Sequence, residues 1–144
     1  MLTVNQLALE ANAPAHVVRY YTRIGLLQPS RQPQNGYRLY SPGDISRLRF
    51  IRLAKHLGFT LNEIRQIMRD ANLGESPCAD VRRIIHNHIE ENRQRIRQMQ
   101  ELQLRMEQAL ASWESMPNGV PDGHSICHLI ESVEVGDDLP SAAN

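Results

Sequence analysis

At 144 residues, with no apolar run long enough to cross a bilayer, the chain has room for one ordinary domain or for a small domain plus an extension, and no membrane association is expected. The N-terminus shows no signal-peptide pattern, which points to the cytoplasm, where the two cysteines, Cys78 and Cys127, read as a metal or redox pair rather than a structural disulfide. The net charge of zero hides a split: residues 1–69 carry ten Arg or Lys against three acids, a net +7, and residues 70–144 carry six arginines against thirteen acids, a net −7. A basic half joined to an acidic half suggests a polyanion-binding module with a second part of different function, and arginine, which supplies fifteen of the sixteen bases, has a planar fork that matches phosphate oxygens and guanine edges.

Thr3 and Gln6 make a capping box, so a short helix is predicted from about Val4, burying Leu7 and Val4. After the short break "EANA", Pro14 suits the first turn of a second helix, "PAHVVRYYTRIG", with Gly25 as its stop. Two short helices with a tight turn read as a helix-turn-helix. On the second helix Val17 and Val18 can face the core, while Arg19, Tyr21 and Arg23 are polar-tipped and spaced to project elsewhere. Tyr20 and Tyr40 are expected to be mostly core.

In "LLQPSRQPQNGYRLY", Asn35-Gly36 predicts a type I′ turn between short strands at "RQPQ" and "YRLY". A hairpin after a helix-turn-helix is a wing, and Arg31, Asn35, Tyr37 and Arg38 lie around it. Ser41-Pro42-Gly43-Asp44 opens a helix through about Leu57, stopped by Gly58. Thr60 and Glu63 cap another helix, carrying Leu61, Ile64, Ile67 and Met68, before a linker at Asn72–Pro77.

One helix is then predicted to about Trp113. Ile85, Ile89, Asn92, Ile96, Met99, Gln103, Met106, Leu110 and Trp113 alternate at spacings of four and three, a heptad seam. A lone amphipathic helix of this length needs a partner for its stripe, and the same helix of a second copy fits best, with Asn92 and Gln103 helping to fix register.

The segments "VVRYYTRIGLL", "NGYRLY" and "HLGFTLNEIRQIM", followed by a long seam helix, resemble the MerR family of bacterial transcription regulators over residues 1 to about 130, and its metal-responsive branch in particular. The resemblance implies a mostly α protein: a winged helix-turn-helix DNA-binding domain at 1–70, a linker at 71–79 and a dimerisation helix at 80–113. An effector loop with a short helix follows at 114–134, then a disordered tail at 135–144. It implies a homodimer through an antiparallel coiled coil, with double-stranded promoter DNA and RNA polymerase as partners. The second helix would enter the major groove with Arg19 and Tyr21 facing DNA and Arg23 close by. Around the wing, with Arg31 and Asn35, Tyr37 and Arg38 would grip phosphates, contacts that set register while base edges specify sequence.

The cluster "HSICH" places His124, Cys127 and His128 within five residues. A helix from Asp80 to Trp113 spans roughly 50 Å, and the loop from Glu114 to Cys127 returns that far only if nearly fully extended. Cys78 and Cys127 of one chain should therefore not meet. In the antiparallel dimer that the resemblance implies, Cys78 of one subunit reaches the loop of the other. Cys127 and His124 would complete the ligands, with His128 additional or alternative, and the site would occur twice by symmetry. Thiolates with imidazoles suit zinc and its soft neighbours, so Zn(II) or another divalent ion is the expected effector.

The resemblance points the same way. Cys78 falls where the family's divalent-metal sensors carry cysteine and its monovalent copper sensors carry serine, and Cys127 falls at the second loop cysteine. A further cysteine common at the end of the long helix is missing from "SWESM", and His124 or His128 would supply that ligand. The alternatives are a regulator sensing an organic or redox signal through Cys78 and Cys127, a zinc hydrolase or metal-storage protein, or a DNA-organising protein with no effector. No HExxH or comparable pairing is present, so an enzyme is not expected. His86 and His88 lie on adjacent faces of the long helix, where His88 could support Cys78 but is expected to be mostly structural.

Overall fold

The structure is a computed structural model and describes residues 1–136. In chain order it contains α1 (Val4–Glu10), α2 (Ala15–Arg23), β1 (Ser30–Arg31), β2 (Arg38–Leu39), α3 (Gly43–His56), α4 (Leu61–Asn72), α5 (Cys78–Trp113) and α6 (His128–Glu131). Two compact units are separable, Met1–Ile89 and the chain from Glu90 on. The tail expected at 135–144 lies outside the described residues from position 137; Val135 and Gly136 are exposed and belong to no helix or strand.

In the first unit the predicted caps form. The Thr3 hydroxyl accepts the Gln6 N–H at 3.2 Å and the Gln6 side chain accepts the Thr3 N–H at 2.9 Å. The chain then turns through Asn12 at φ 54°, a left-handed value that asparagine tolerates, and the Ala13 N–H closes onto the Ala8 carbonyl at 2.9 Å. Pro14 precedes α2, and Gly25 at φ 85° ends it, while the Leu26 and Leu27 N–H groups both return to the Tyr21 carbonyl.

The wing differs from the expected type I′ hairpin. Gly36 has φ 69°, but Asn35 is not in the left-handed region that a type I′ turn requires. The Gln32 N–H donates to the Tyr37 carbonyl and the Gly36 N–H to the Gln32 carbonyl, both at 2.8 Å, giving a four-residue loop. Pro33 explains the difference: its fixed φ starts the loop as an ordinary right-handed turn and leaves one left-handed position, which Gly36 fills. Asn35 instead accepts the Tyr37 N–H through its side chain at 3.0 Å. The paired strands shrink to Ser30↔Leu39 and Arg31↔Arg38.

At the start of α3, the working cap is the buried Asp44. Its carboxylate accepts the Ser41 N–H at 3.1 Å and the Arg47 guanidinium at 3.1 Å. Glu63 has two tasks. It closes the capping box of α4, accepting the Thr60 N–H at 2.8 Å, and it meets His88 Nε2 of α5 at 2.9 Å. Phe59 stands edge-on to the same imidazole, with centroids 6.3 Å apart. Val81, Ile84 and Ile85 lay the first turns of α5 against a core of Leu7, Val18, Leu27, Tyr40, Leu48, Ile51 and Ile64. His88 is thus structural, as expected.

In the second unit, the seam side chains Ile96, Met99, Met106 and Leu110 of α5 are 56–66% exposed. The loop from Glu114 leads to α6, whose four residues start directly after Cys127. The helix α5 begins at Cys78, two residues before the predicted 80, so Cys78 stands in its first turn and not in the linker.

Burial pushes the Glu63 carboxyl up, but the hydrogen bonds from His88 and the Thr60 N–H, with the His88 charge, outweigh it and hold the group below the usual glutamate value. A depressed carboxyl contributes stability above its unfolded range and loses it as pH falls through its folded value. Glu63→Gln keeps the cap acceptor but removes the charge. It should therefore destabilise the fold by about 1 kcal/mol at neutral pH, with the difference from wild type vanishing toward acid. Urea midpoints at pH 7 and below pH 4 check this.

Candidate functional site

Helical periodicity decides which face of α2 is free. Val18 and Tyr21, three residues apart, both turn inward, and Tyr21 is 8% exposed while Tyr20 is 39% exposed. The sequence reading reversed the two tyrosines, and Tyr21 does not project. Burial, reinforced by Tyr20 and opposed by Arg52, raises the Tyr21 phenol above its ordinary value. The outward face carries Arg19, Tyr20 and Arg23, and the Arg23 guanidinium sits 5.3 Å over the Tyr20 ring, which holds both side chains in place.

On the wing, Arg31 and Asn35 are exposed, Tyr37 is 67% exposed, and Arg38 is half-buried. Several arginines of the basic half serve the fold instead. Arg49 and Arg52 donate to the Glu10 and Asn12 carbonyls at 3.1 and 2.9 Å, just where α1 ends. Arg65 donates to the Ile24 carbonyl at the end of α2, at 2.6 Å. Cations at helix C-termini satisfy orphan carbonyls and the helix dipole together. Arg19, Arg31 and Arg38 take part in none of these contacts.

The predicted metal ligands fall in both units. Cys78 is an exposed free thiol in the first unit, with its N–H directed to the Ser76 hydroxyl at 3.4 Å. Cys127, also free, is half-buried at the cap position of α6 in the second. Asp122 organises the loop between α5 and α6: one carboxylate oxygen accepts the His124 and Ser125 N–H groups, each at 2.9 Å, which draws its pKa below the usual value. Glu131 reaches back to the Ser125 hydroxyl and to the Ile126 N–H at 3.1 Å, and these bonds lower its pKa as well. His124 is exposed, and His128 is half-buried as the first residue of α6. Among the described residues of one chain, no three His, Cys, Asp or Glu side chains gather as a metal site. No helix among those residues is long and apolar enough to cross a membrane.

Residues 2–71 match the MerR HTH family regulatory protein model, and residues 45–109 match the model described as MerR, DNA binding. The chain is 30% identical over 135 residues to the HTH-type transcriptional regulator HmrR of Rhizobium leguminosarum bv. viciae, covering 94% of this chain and 99% of that protein. It is 30% identical over 104 residues to heavy metal-dependent transcription regulator 2 of Rhizobium meliloti (strain 1021), covering 70% and 69%. The fold superposes on the transcription regulator PbrR691 from Ralstonia metallidurans CH34, solved in complex with lead(II), with a TM-score of 0.70, 25% identity and 92% and 98% of the two chains covered. The chain belongs to the MerR family, a helix-turn-helix class of DNA-binding transcription regulators.

The two adjacent tyrosines differ in burial, and variants at each separate a fold role from a surface role. Tyr21→Ala should cost about 3 kcal/mol in stability, as for other buried aromatic truncations. Tyr20→Ala should stay within about 1 kcal/mol of wild type yet weaken operator binding. Thermal melts and DNA titrations of the two variants check the division.

Proposed function

We propose that the protein is a metal-responsive activator that acts as a homodimer on promoter DNA and senses Zn(II) or a similar divalent ion. The observation that carries the reading is the pair of free thiols, one opening the long helix and one opening α6, in a chain resembling a heavy metal-dependent regulator over most of its length. The donor set fits such an ion, because thiols with imidazoles suit borderline metals.

The dimer forms through the exposed seam of α5, whose apolar stripe a second copy covers. On DNA, Arg19, Tyr20 and Arg23 of α2 enter the major groove, and Tyr21 supports them from the core. Arg31, Asn35, Tyr37 and Arg38 of the wing engage the phosphates. Cys78 of one protomer and Cys127 with an imidazole of the other form each of two symmetric sites, since within one chain the long helix intervenes between them in sequence. Bound there, the metal supplies a cross-link between protomers. Differential stability of the cross-linked dimer then offsets the few kcal/mol needed to bend and untwist a promoter of unfavourable spacing, so that RNA polymerase engages it.

Complementation tests this reading. Wild type should bind two zinc ions per dimer, and the Cys78→Ser and Cys127→Ser homodimers should bind none. A heterodimer carrying one of each should bind one, because a single interface keeps both thiols. A heterodimer that binds none while wild type binds two removes the shared site. Wild type that purifies without metal, takes up none and instead forms reversible thiol oxidation products favours the redox alternative. Operator affinity should fall steeply with salt, as phosphate neutralisation requires, and metal should raise transcription without releasing the dimer from DNA. Release by metal in gel shifts would mean simple derepression.

A further inference from the structure

Within the sensor loop, the imidazole of His128 lies edge-on against the backbone of Gly119. A Cβ at position 119 would stand 2.2 Å from His128 Nδ1 and 2.6 Å from Cε1. Ordinary contacts between such atoms lie at about 3.5–4.0 Å, so no side chain fits while the ring keeps this place. Gly119 is not among the positive-φ glycines. Space, not backbone conformation, is what requires glycine there.

One edge of the His128 ring is confined by Gly119, and the backbone of His128 is held in α6. Its backbone begins α6, and the Ser132 N–H returns to the His128 carbonyl at 2.9 Å. Its Nδ1–Cε1 edge meets Gly119, which leaves Nε2 as the nitrogen directed away from the glycine. Cys127, the neighbouring residue, carries a free half-buried thiol. His124 differs: it is exposed and tied to the loop through its backbone N–H at Asp122. A ligand already held in one orientation loses less freedom on binding than an exposed one.

We propose that Gly119 is a positioning residue that reserves the space for the His128 imidazole, so that His128 through Nε2, rather than His124, is the imidazole ligand beside Cys127. The proposal rests on the metal-sensor reading above and narrows it to one histidine and one supporting glycine.

Cobalt(II) titration of the full-length dimer, followed by thiolate charge-transfer and d–d absorption, tests it. His128→Ala, which removes the ligand itself, should weaken cobalt binding at least as much as the roughly 10–100-fold seen when groups that only orient a ligand are removed. His124→Ala should leave affinity within about twofold. Gly119→Ala should weaken binding like His128→Ala, and the double variant should be no weaker than His128→Ala alone, because both changes remove the same ligand. In metal-free protein, an NMR cross-peak between the Gly119 α-protons and the His128 ring should be present in wild type and lost in Gly119→Ala.

Cysteine-dependent cobalt binding that survives His128→Ala but not His124→Ala overturns the proposal and leaves the sensor reading intact. So does a Gly119→Ala effect of equal size in the His128→Ala background. If wild type binds no cobalt, the sensor reading fails and takes the proposal with it. If Gly119→Ala does not fold, the two histidine variants still decide which imidazole binds, and the wild-type cross-peak between the Gly119 α-protons and the His128 ring still tests the contact, its absence overturning the positioning role.

Discussion

The geometry of the DNA-binding unit hangs on the buried hydroxyl of Tyr40. This residue follows β2 directly and is wholly buried, and its hydroxyl lies 2.7 Å from the Thr22 hydroxyl of α2. Thr22 in turn donates to the Val18 carbonyl at 2.7 Å, so the phenol is the donor in the first bond. The backbone of Tyr40 exchanges two hydrogen bonds of 2.7 Å with Leu2. One residue thus joins Leu2, through its backbone, and the last turn of α2, through its hydroxyl, to the root of the wing. A wing and a recognition helix read one stretch of DNA together only if their relative angle is fixed. A buried, satisfied phenol fixes it more narrowly than apolar packing does, because displacing it leaves polar groups unpaired in the core.

The charge of the first half looks different once its partners are seen. A net +7 implies a broadly basic surface, but Arg47 faces the buried Asp44, and Arg49, Arg52 and Arg65 cap helix ends. Arg49, Arg52 and Arg65 hold helices to one another across 39 to 41 residues of sequence. Arg47, Arg49 and Arg52 remain exposed all the same, alongside Arg19 and Arg23 of α2 and Arg31 of the wing. The basic residues of this half therefore join helices and still present positive charge at the surface. Arginine suits both tasks, since its fork binds a carbonyl as readily as a phosphate and stays charged when partly covered.

Much of the fold was legible because it is written in local chemistry. Thr3 with Gln6 and Thr60 with Glu63 are short-range signals, and both capping boxes form as their spacing requires. The seam of α5 is a periodicity, visible without any partner. Signals that compete were harder. At the wing, Asn35-Gly36 argued for one turn and Pro33 for another, and the proline prevailed because its φ cannot adjust. On α2, Tyr20 and Tyr21 differ by 100° around the helix, and residue type alone does not say which points inward. The Gly119 contact with His128 had no sequence signal at all. A glycine in a loop usually answers a φ requirement, and only coordinates reveal one that is needed for the volume it leaves empty.

If Cys78 takes part in the metal site proposed above, its position bears on how that signal reaches DNA. It opens α5, and three residues on, Val81 begins the set that packs against the core shared with α2 and the wing. Glu63 and His88 then bind that stretch of α5 to α4, beside Phe59. The Cys78 thiol itself is exposed and free to take a partner, while the helix turns immediately behind it are locked. A ligand on a flexible linker would absorb a displacement. A ligand in the first turn of a helix anchored by Val81, Ile84, Ile85 and His88 passes displacement on to the DNA-binding unit as a body. If metal bridges Cys78 to the partner subunit, the two DNA-binding units change their relative placement as rigid pieces, and the energy available to deform DNA equals the metal's preference for one placement over the other. Under that proposal, local stiffness next to an accessible thiol would let a binding event of a few kcal/mol act on DNA rather than be absorbed in the protein.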